Sequence, residues 1–309
     1  MSGQFSSFSL RNIEGSYFWS LEETQAASWV PLISDMFTTD QPYEIYKWLG
    51  SAPSMSTWRG ERVRSGLGDY ELSVISDKFD STLAFDVDDV RRDKTGQIVR
   101  RVSEMGQKAA TLPQRLFTTL LEANGTSYDG AAFFANAHNT GTVDNNLTYN
   151  AAVAAAPTSA EMSSAILEAI QGMYGFLDDT GDPCNEFATN FMVMVPTNMW
   201  QPLVAALKDV FTSAGVSNTL QSAAGMGLTI TPVVNPRLAS TTQMYTFRTD
   251  APVKMGIWQE ESLPGGEAFK TLGIDSDNAF WREEVAFGAK RIAQAALGRY
   301  ELACLTTFN

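Results

Sequence analysis

One apolar stripe constrains this chain more than any other feature. Ile98, Val102, Met105, Ala109, Leu112, Leu116 and Leu120 follow one another at steps of three and four. That spacing puts all seven on one face of an α-helix more than twenty residues long. Asn124-Gly125 supplies a stop signal at its end. Pro113 lies inside the pattern, so a kink or local break is expected near Leu112.

Upstream the period changes from 3.6 to 2. Residues 59–76 carry the tight Gly66-Leu67-Gly68-Asp69 followed by alternating Tyr70, Leu72 and Val74, which reads as a long β-hairpin turning at the glycines. The returning strand is expected to continue towards Leu83, Phe85 and Val87. Residues 1–42 are Ser-rich yet carry Phe5, Phe8, Tyr17, Phe18, Trp19, Trp29 and Phe37. A free polar tail would leave such side chains without cover. Two readings stay open for this arm: a helix packed on its own core, or a segment draped over a neighbouring subunit.

Residues 125–158 read as loop, rich in Asn, Gly, Thr and Ala. Beyond them, Ser159 begins an amphipathic helix through Ile166, Ile170 and Met173. Phe191–Val195 is a short buried strand closed by Pro196. Trp200, Leu203, Val204, Leu207 and Phe211 form a further helical face. Leu228–Val234, Met244–Phe247 and Val253–Trp258 are strand-like. Glu283–Leu305 fits two strands around Gly288 and Gly298, and a helix over Ala289–Leu297 fits nearly as well. Helices and strands mix, so the expected class is α+β.

Composition narrows the function. The chain has 309 residues, 44% hydrophobic and 18% charged, with net charge −13. It has enough apolar material for a core, in two compact units or one elaborated one. Phosphate-neutralising proteins need clustered Lys and Arg, and 22 such residues against 35 Asp and Glu argue against DNA binding. They do not argue against a wall that holds DNA by enclosing it. The N-terminus lacks the pattern of a secretory signal, and no stretch approaches 18 uninterrupted apolar residues. Cys184 and Cys304 are far apart and read as reduced thiols.

Catalytic chemistry finds little purchase. His138 is the sole histidine, and neither a nucleophile–base pair nor a zinc site has its other members at useful spacing. Asp86, Asp88 and Asp89 fit a helix N-terminus better than a cation site. Gly225-Met226-Gly227 lacks the third glycine of a dinucleotide loop, and Gly265-Gly266 lacks the Lys-Ser/Thr of a phosphate loop. No catalytic, cofactor-binding or metal-binding residue is assigned. The rival reading, a soluble α+β enzyme built on His138, predicts that mutating it abolishes a turnover activity.

Three blocks carry a family resemblance. The first is Tyr46-Lys47-Trp48-Leu49-Gly50 with Pro53 and Trp58-Arg59-Gly60-Glu61-Arg62. The second runs from Glu104-Met105-Gly106 through Ala109-Ala110, Pro113 and Leu120-Leu121 to Tyr128-Asp129-Gly130, Phe133-Phe134 and His138. The third is Ile257-Trp258-Gln259-Glu260 with Phe287-Gly288-Ala289 and Arg291. Together they resemble the Mu-like major head subunit family of tailed-phage capsid proteins, most specifically over residues 43–140.

The resemblance implies the Hong Kong 97 capsid fold. Its parts would fall as an N-terminal arm (1–45), an E-loop hairpin region (46–90), a spine helix and peripheral domain (91–158), an axial domain (159–252) and a return to both domains (253–309). It implies pentamers and hexamers closing into an icosahedral shell around double-stranded DNA, in a virion capsid assembled in the host bacterial cytoplasm. A separate scaffold, a portal and a possible decoration protein would be partners, with no membrane and no sequence-specific DNA contact. An encapsulin-like or gene-transfer-agent shell protein of the same fold is the alternative. The candidate assembly residues are Phe5, Phe8, Phe18 and Trp19 in the arm, Trp58, and Arg62, Arg64, Gly66, Leu67, Gly68, Asp69, Tyr70 and Leu72 in the hairpin.

Overall fold

The stripe over residues 98–120 forms two helices in the computed structural model, α4 (Gln97–Ala110) and α5 (Leu112–Ala123), which meet at Thr111. Pro113 sits in the first turn of α5, where a missing N–H costs nothing and its fixed φ suits the helix. Asn124 then ends α5 in the left-handed conformation at φ 46°. The structure describes residues 7–49, 60, 69–93, 96–138, 143–178, 181–211, 215, 217–225, 227–263, 268–273 and 275–309.

The two helices lie on a five-stranded sheet built from β1 (Ser34–Thr39), β4 (Asp77–Asp86), β9 (Gly256–Glu261), β10 (Phe269–Leu272) and β11 (Glu284–Leu297). β11 is its axis. Its first ten residues pair antiparallel with β4, from Glu284 opposite Asp86 to Ala293 opposite Asp77. On its other edge it pairs β10 and then β9, and β1 adds to β9 in parallel. The helix considered over 289–297 is therefore a strand. Its Ala-rich sequence favours helix locally, but pairing on both edges overrides that preference. The small side chains Ala293 and Ala295 let Leu112 and Phe117 of α5 settle against the strand.

The arm folds back on its own subunit. Helix α1 (Ser7–Ala26) lays Ile13 and Tyr17 against Ile98, Val102 and Met105 of α4 and against Phe269 and Phe287 of the sheet. The two helices approach closely because Gly106 has no side chain: a Cβ there would stand 2.5 Å from the Tyr17 carbonyl oxygen. A short turn of helix, α2 (Val30–Ile33), leads from the arm into β1.

The second sheet has the order β5 (Asn146–Tyr149), β12 (Ala303–Phe308), β8 (Gln243–Arg248), β6 (Asn190–Val195) and β7 (Thr229–Val234). Its pairs are parallel at β5–β12 and β6–β7 and antiparallel between β12, β8 and β6. Helices α6 (Ser159–Tyr174), α7 (Trp200–Lys208) and α8 (Thr219–Gly225) bury Ile166, Ile170, Leu203 and Leu220 in one core with Phe191, Met194, Tyr245 and Phe247. Thr158 and Glu161 form a reciprocal capping box at the start of α6.

Several expectations need correction. The hairpin is wider than read. Its outgoing strand is β2 (Tyr43–Leu49) and its return is β3 (Asp69–Ile75), with Leu49 opposite Asp69. Gly66–Gly68 and residues 59 and 61–65 lie outside the described residues. β4 is a new strand of the body sheet and not the hairpin's continuation. It ends at Asp86, whose side chain caps α3 (Val87–Arg92), so Val87 is helical. Phe211 is outside α7 and exposed, because Asp209 leaves the helical conformation. Val253 precedes β9 and is exposed. β5 falls in the stretch read as loop: its four residues, Thr148 exposed and the other three half-buried, carry little local signal, and β12 supplies their pairing. A last short helix, α9 (Asp277–Arg282), joins β10 to β11.

Candidate assembly surfaces

The β2–β3 ribbon alternates in what it covers. Val74 is buried and Leu72 half-buried, so the period-two pattern legible in the sequence marks the face turned to the subunit itself. The opposite face carries Tyr43 directly across from Ile75, then Ile45 and the ion pair Lys47–Glu71 at 3.5 Å. Tyr43 is 48% exposed, Ile45 42% and Ile75 62%, a row of large apolar side chains with water on it. Met36 and Phe37 of β1 are exposed beside the root, and the Phe37 ring lies 5.0 Å from Tyr46.

The root of the ribbon is fastened. Tyr46 donates a hydrogen bond to Gln259 Oε1 at 2.9 Å, and Gln259 Nε2 donates to Ser76 Oγ at 2.8 Å. Gln259 is fully buried on β9, so one amide joins both strands' roots to the body sheet. Its neighbour Glu260 makes a two-point pair with Arg291 at 2.8 and 2.6 Å. Arg291 also donates to the Ala109 carbonyl at 2.7 Å and lies under the Trp258 ring at 5.7 Å. Three members of the C-terminal block (Trp258, Glu260 and Arg291) thus meet at one junction between α4, β9 and β11.

The candidate residues separate as follows. Phe18 packs half-buried against Tyr17 and Phe269, while Trp19 stands 73% exposed on the outer face of α1. Asp69, Tyr70 and Leu72 lie on β3 opposite Leu49, Trp48 and Tyr46. Phe8 belongs to α1, its side chain outside the described residues. Phe5, Trp58, Arg62, Arg64, Gly66, Leu67 and Gly68 also lie outside them. Sequence reasoning missed the exposed pair Phe280 and Trp281 on α9, whose rings meet edge to face at 4.9 Å. It missed Tyr43, Ile45 and Ile75 as well. Two adjacent aromatics flanked by Asp277, Asn278, Arg282 and Glu283 are the signal that would have found the first pair.

His138 is held inside the protein. It is buried, stacked on Tyr300 at 3.9 Å, with Nδ1 2.7 Å from Asp129 Oδ2 and Nε2 3.2 Å from the Phe133 carbonyl. Asn145, fully buried, donates to the same Phe133 carbonyl and to that of Tyr300. Both ring nitrogens are taken up inside the loop after α5, while the stacking on Tyr300 and the Asn145 amide tie that loop to the C-terminal segment, which is structural work.

Comparisons with known proteins agree with this geometry. A family model described as "Mu-like prophage major head subunit gpT" matches residues 13–167, half of the chain. A curated relative, the Mu-like prophage FluMu major head subunit of Haemophilus influenzae, is 26% identical over 98 residues, 31% of this chain and 32% of that protein. The match thus spans about a third of the curated relative's length. Among solved structures, the procapsid of bacteriophage JBD30 superposes with a TM-score of 0.51 at 17% identity, over 98% of this chain and 76% of that one. The capsid of cyanophage P-SCSP1u gives 0.58 at 13%, over 90% and 86%. A virus-like particle from Pyrococcus furiosus gives 0.54 at 9%, over 94% and 98%. Most of the arm helix, the ribbon, the broken spine, β5 and the first half of α6 fall inside the family match, and the chain belongs to the Mu-like prophage major head subunit family, with the Hong Kong 97-type capsid fold.

Proposed function

We propose that this protein is the major capsid protein of a tailed bacteriophage, assembling into pentamers and hexamers of a closed icosahedral shell around double-stranded DNA. The observation that carries the reading is the ribbon: a two-stranded extension, anchored at its root by Gln259, with Tyr43, Ile45 and Ile75 uncovered, in a chain of the head-subunit family. A two-stranded hairpin is marginal alone in water and needs a further surface to lie on. Its role is structural and not enzymatic. The parts are an arm (1–45), an E-loop region (46–90), a spine and peripheral domain (91–158), an axial domain (159–252) and a returning segment (253–309). A separate scaffold, a portal and a decoration protein are its expected partners, in a virion assembled in the bacterial cytoplasm. No helix among the described residues is long and apolar enough to cross a membrane.

The test is direct. Purified protein is examined by size-exclusion chromatography with light scattering and by negative-stain microscopy, over a range of salt and with candidate scaffold co-expressed. Capsomers or closed shells support the reading. A monomer under every condition overturns it. Shells filled with cargo enzyme instead of DNA would place the protein with compartment-forming relatives of the same fold.

A further inference from the structure

A cleft of about 420 Å³ opens where α4 gives way to α5, between that break and β4. Four cations line it: Lys108 and Arg115 from the two helices, Arg237 from the turn after β7, and Arg291 from β11. Arg291 is buried and neutralised by Glu260. The other three are exposed, and among the described residues none of them has a carboxylate oxygen within 4.0 Å. Lys108, Thr111 and Arg115 stand at steps of three and four, so they share one face across the helix break. Arg115 is steadied over the Phe79 ring at 5.8 Å, and Arg237 donates to Thr111 Oγ1 at 3.2 Å. Asp80 is the carboxylate lining this cleft among the described residues.

We propose that this cleft seats an acidic side chain from a second copy of this chain. The inference rests on the reading of the protein as a shell subunit. Three cations without a carboxylate partner among the described residues are conspicuous in a chain of net charge −13. Two such copies repel each other at long range, and contact becomes favourable where one copy's carboxylate meets the other's cations. A guanidinium held in place matches a carboxylate at two points. The lining also includes Phe79, Leu112 and Ala289, an apolar wall that suits the methylene stem of Asp or Glu. A phosphate has no such stem.

The test mixes isotopically heavy and light protein, assembles particles from the mixture and treats them with a water-soluble carbodiimide. Crosslinked peptides joining Lys108 of one isotope to an Asp or Glu of the other support the inference. Crosslinks of Lys108 confined to its own copy, or none, in well-formed particles overturn it. In parallel, Arg115→Gln with Arg237→Gln should keep the thermal transition of the subunit and lower particle yield about tenfold or more. Particle yield equal to wild type overturns the inference and leaves the shell reading standing. Failure of the wild-type protein itself to assemble overturns both. Duplex DNA binding by the wild-type subunit, lost in the double variant, would assign the cleft to phosphates and overturn the acidic-neighbour reading.

Discussion

Gly106 is a residue whose missing side chain sets the distance between two helices. Replacing it by Ala would gain up to about 1 kcal/mol of helix propensity. The new Cβ would meet the Tyr17 carbonyl oxygen at 2.5 Å, however, and backbone cannot step aside as a side-chain tip does. Gly106→Ala is therefore expected to destabilise by about 1–3 kcal/mol in urea denaturation, because overpacking outweighs propensity. Arg291→Met keeps the stem and removes the pair with Glu260 and the bond to Ala109. Its expected cost is about 2–3 kcal/mol, below that of a fully buried pair because Glu260 remains a third exposed. Cys304 gives a chemical readout. Burial, with Asp144 and Glu168 adding to it, pushes its thiol from 9.0 up to about 12. The group favours the fold fully below pH 9.0, and its contribution is lost as pH rises towards about 12. In a Cys184→Ser background, iodoacetamide at pH 8 should leave Cys304 unlabelled until denaturant is added; rapid labelling of the native protein would contradict this.

At the scale of elements, arm and ribbon play different parts. The arm offered two readings from sequence, and α1 packs on its own subunit through Ile13 and Tyr17 while presenting Trp19 to solvent. Each buried side chain is worth about 1.5–3 kcal/mol, so deleting residues 1–26 should lower the subunit's thermal midpoint by many degrees. Trp19→Ala should change it by no more than about 0.5 kcal/mol. The ribbon has the reverse signature. Replacing residues 48–70 by a short Gly-Ser turn keeps Tyr46, Gln259 and Val74, and the thermal transition should survive. On the proposed function, capsomers and particles should vanish. Particles of normal size from that variant would make the ribbon an ornament of one subunit.

At the scale of the molecule, the two five-stranded sheets and the cores packed on them are joined through the C-terminal strands. β11 is the axis of one sheet, and β12 lies between β5 and β8 in the other. Removing residues 303–309 would take Cys304, Leu305 and Phe308 from the second core and leave two strand edges open. Insoluble protein, or loss of the cooperative transition, is the expected outcome. By contrast, Phe280→Ser with Trp281→Ser removes two exposed rings and should leave subunit stability unchanged. Soluble, fully folded protein from the truncation would show that the second sheet does not depend on its inner strand.

Where periodicity is strong and long, local chemistry already specifies the outcome. The apolar stripe, Pro113 and Asn124 together prescribe α4, its break and the end of α5. Phe191–Val195 reads as a buried strand because its apolar run is closed by proline. The three family blocks likewise mark residues that converge, since Tyr46 of the first meets Gln259 of the third and Ala109 of the second meets Arg291 of the third. Distance along the chain hid the rest. Whether Ala289–Leu297 is helix or strand depends on β4 and β9, far from it in sequence. The four residues of β5 are a strand only because β12 lies beside them. The alternation of Tyr70, Leu72 and Val74 announced a hairpin but could not say which face meets the body. Its exposed row, Tyr43, Ile45 and Ile75, was fixed by the register of Tyr43 opposite Ile75. The cleft at the spine break gathers cations from positions 108, 115 and 237, and only tertiary packing brings such separated charges to one mouth.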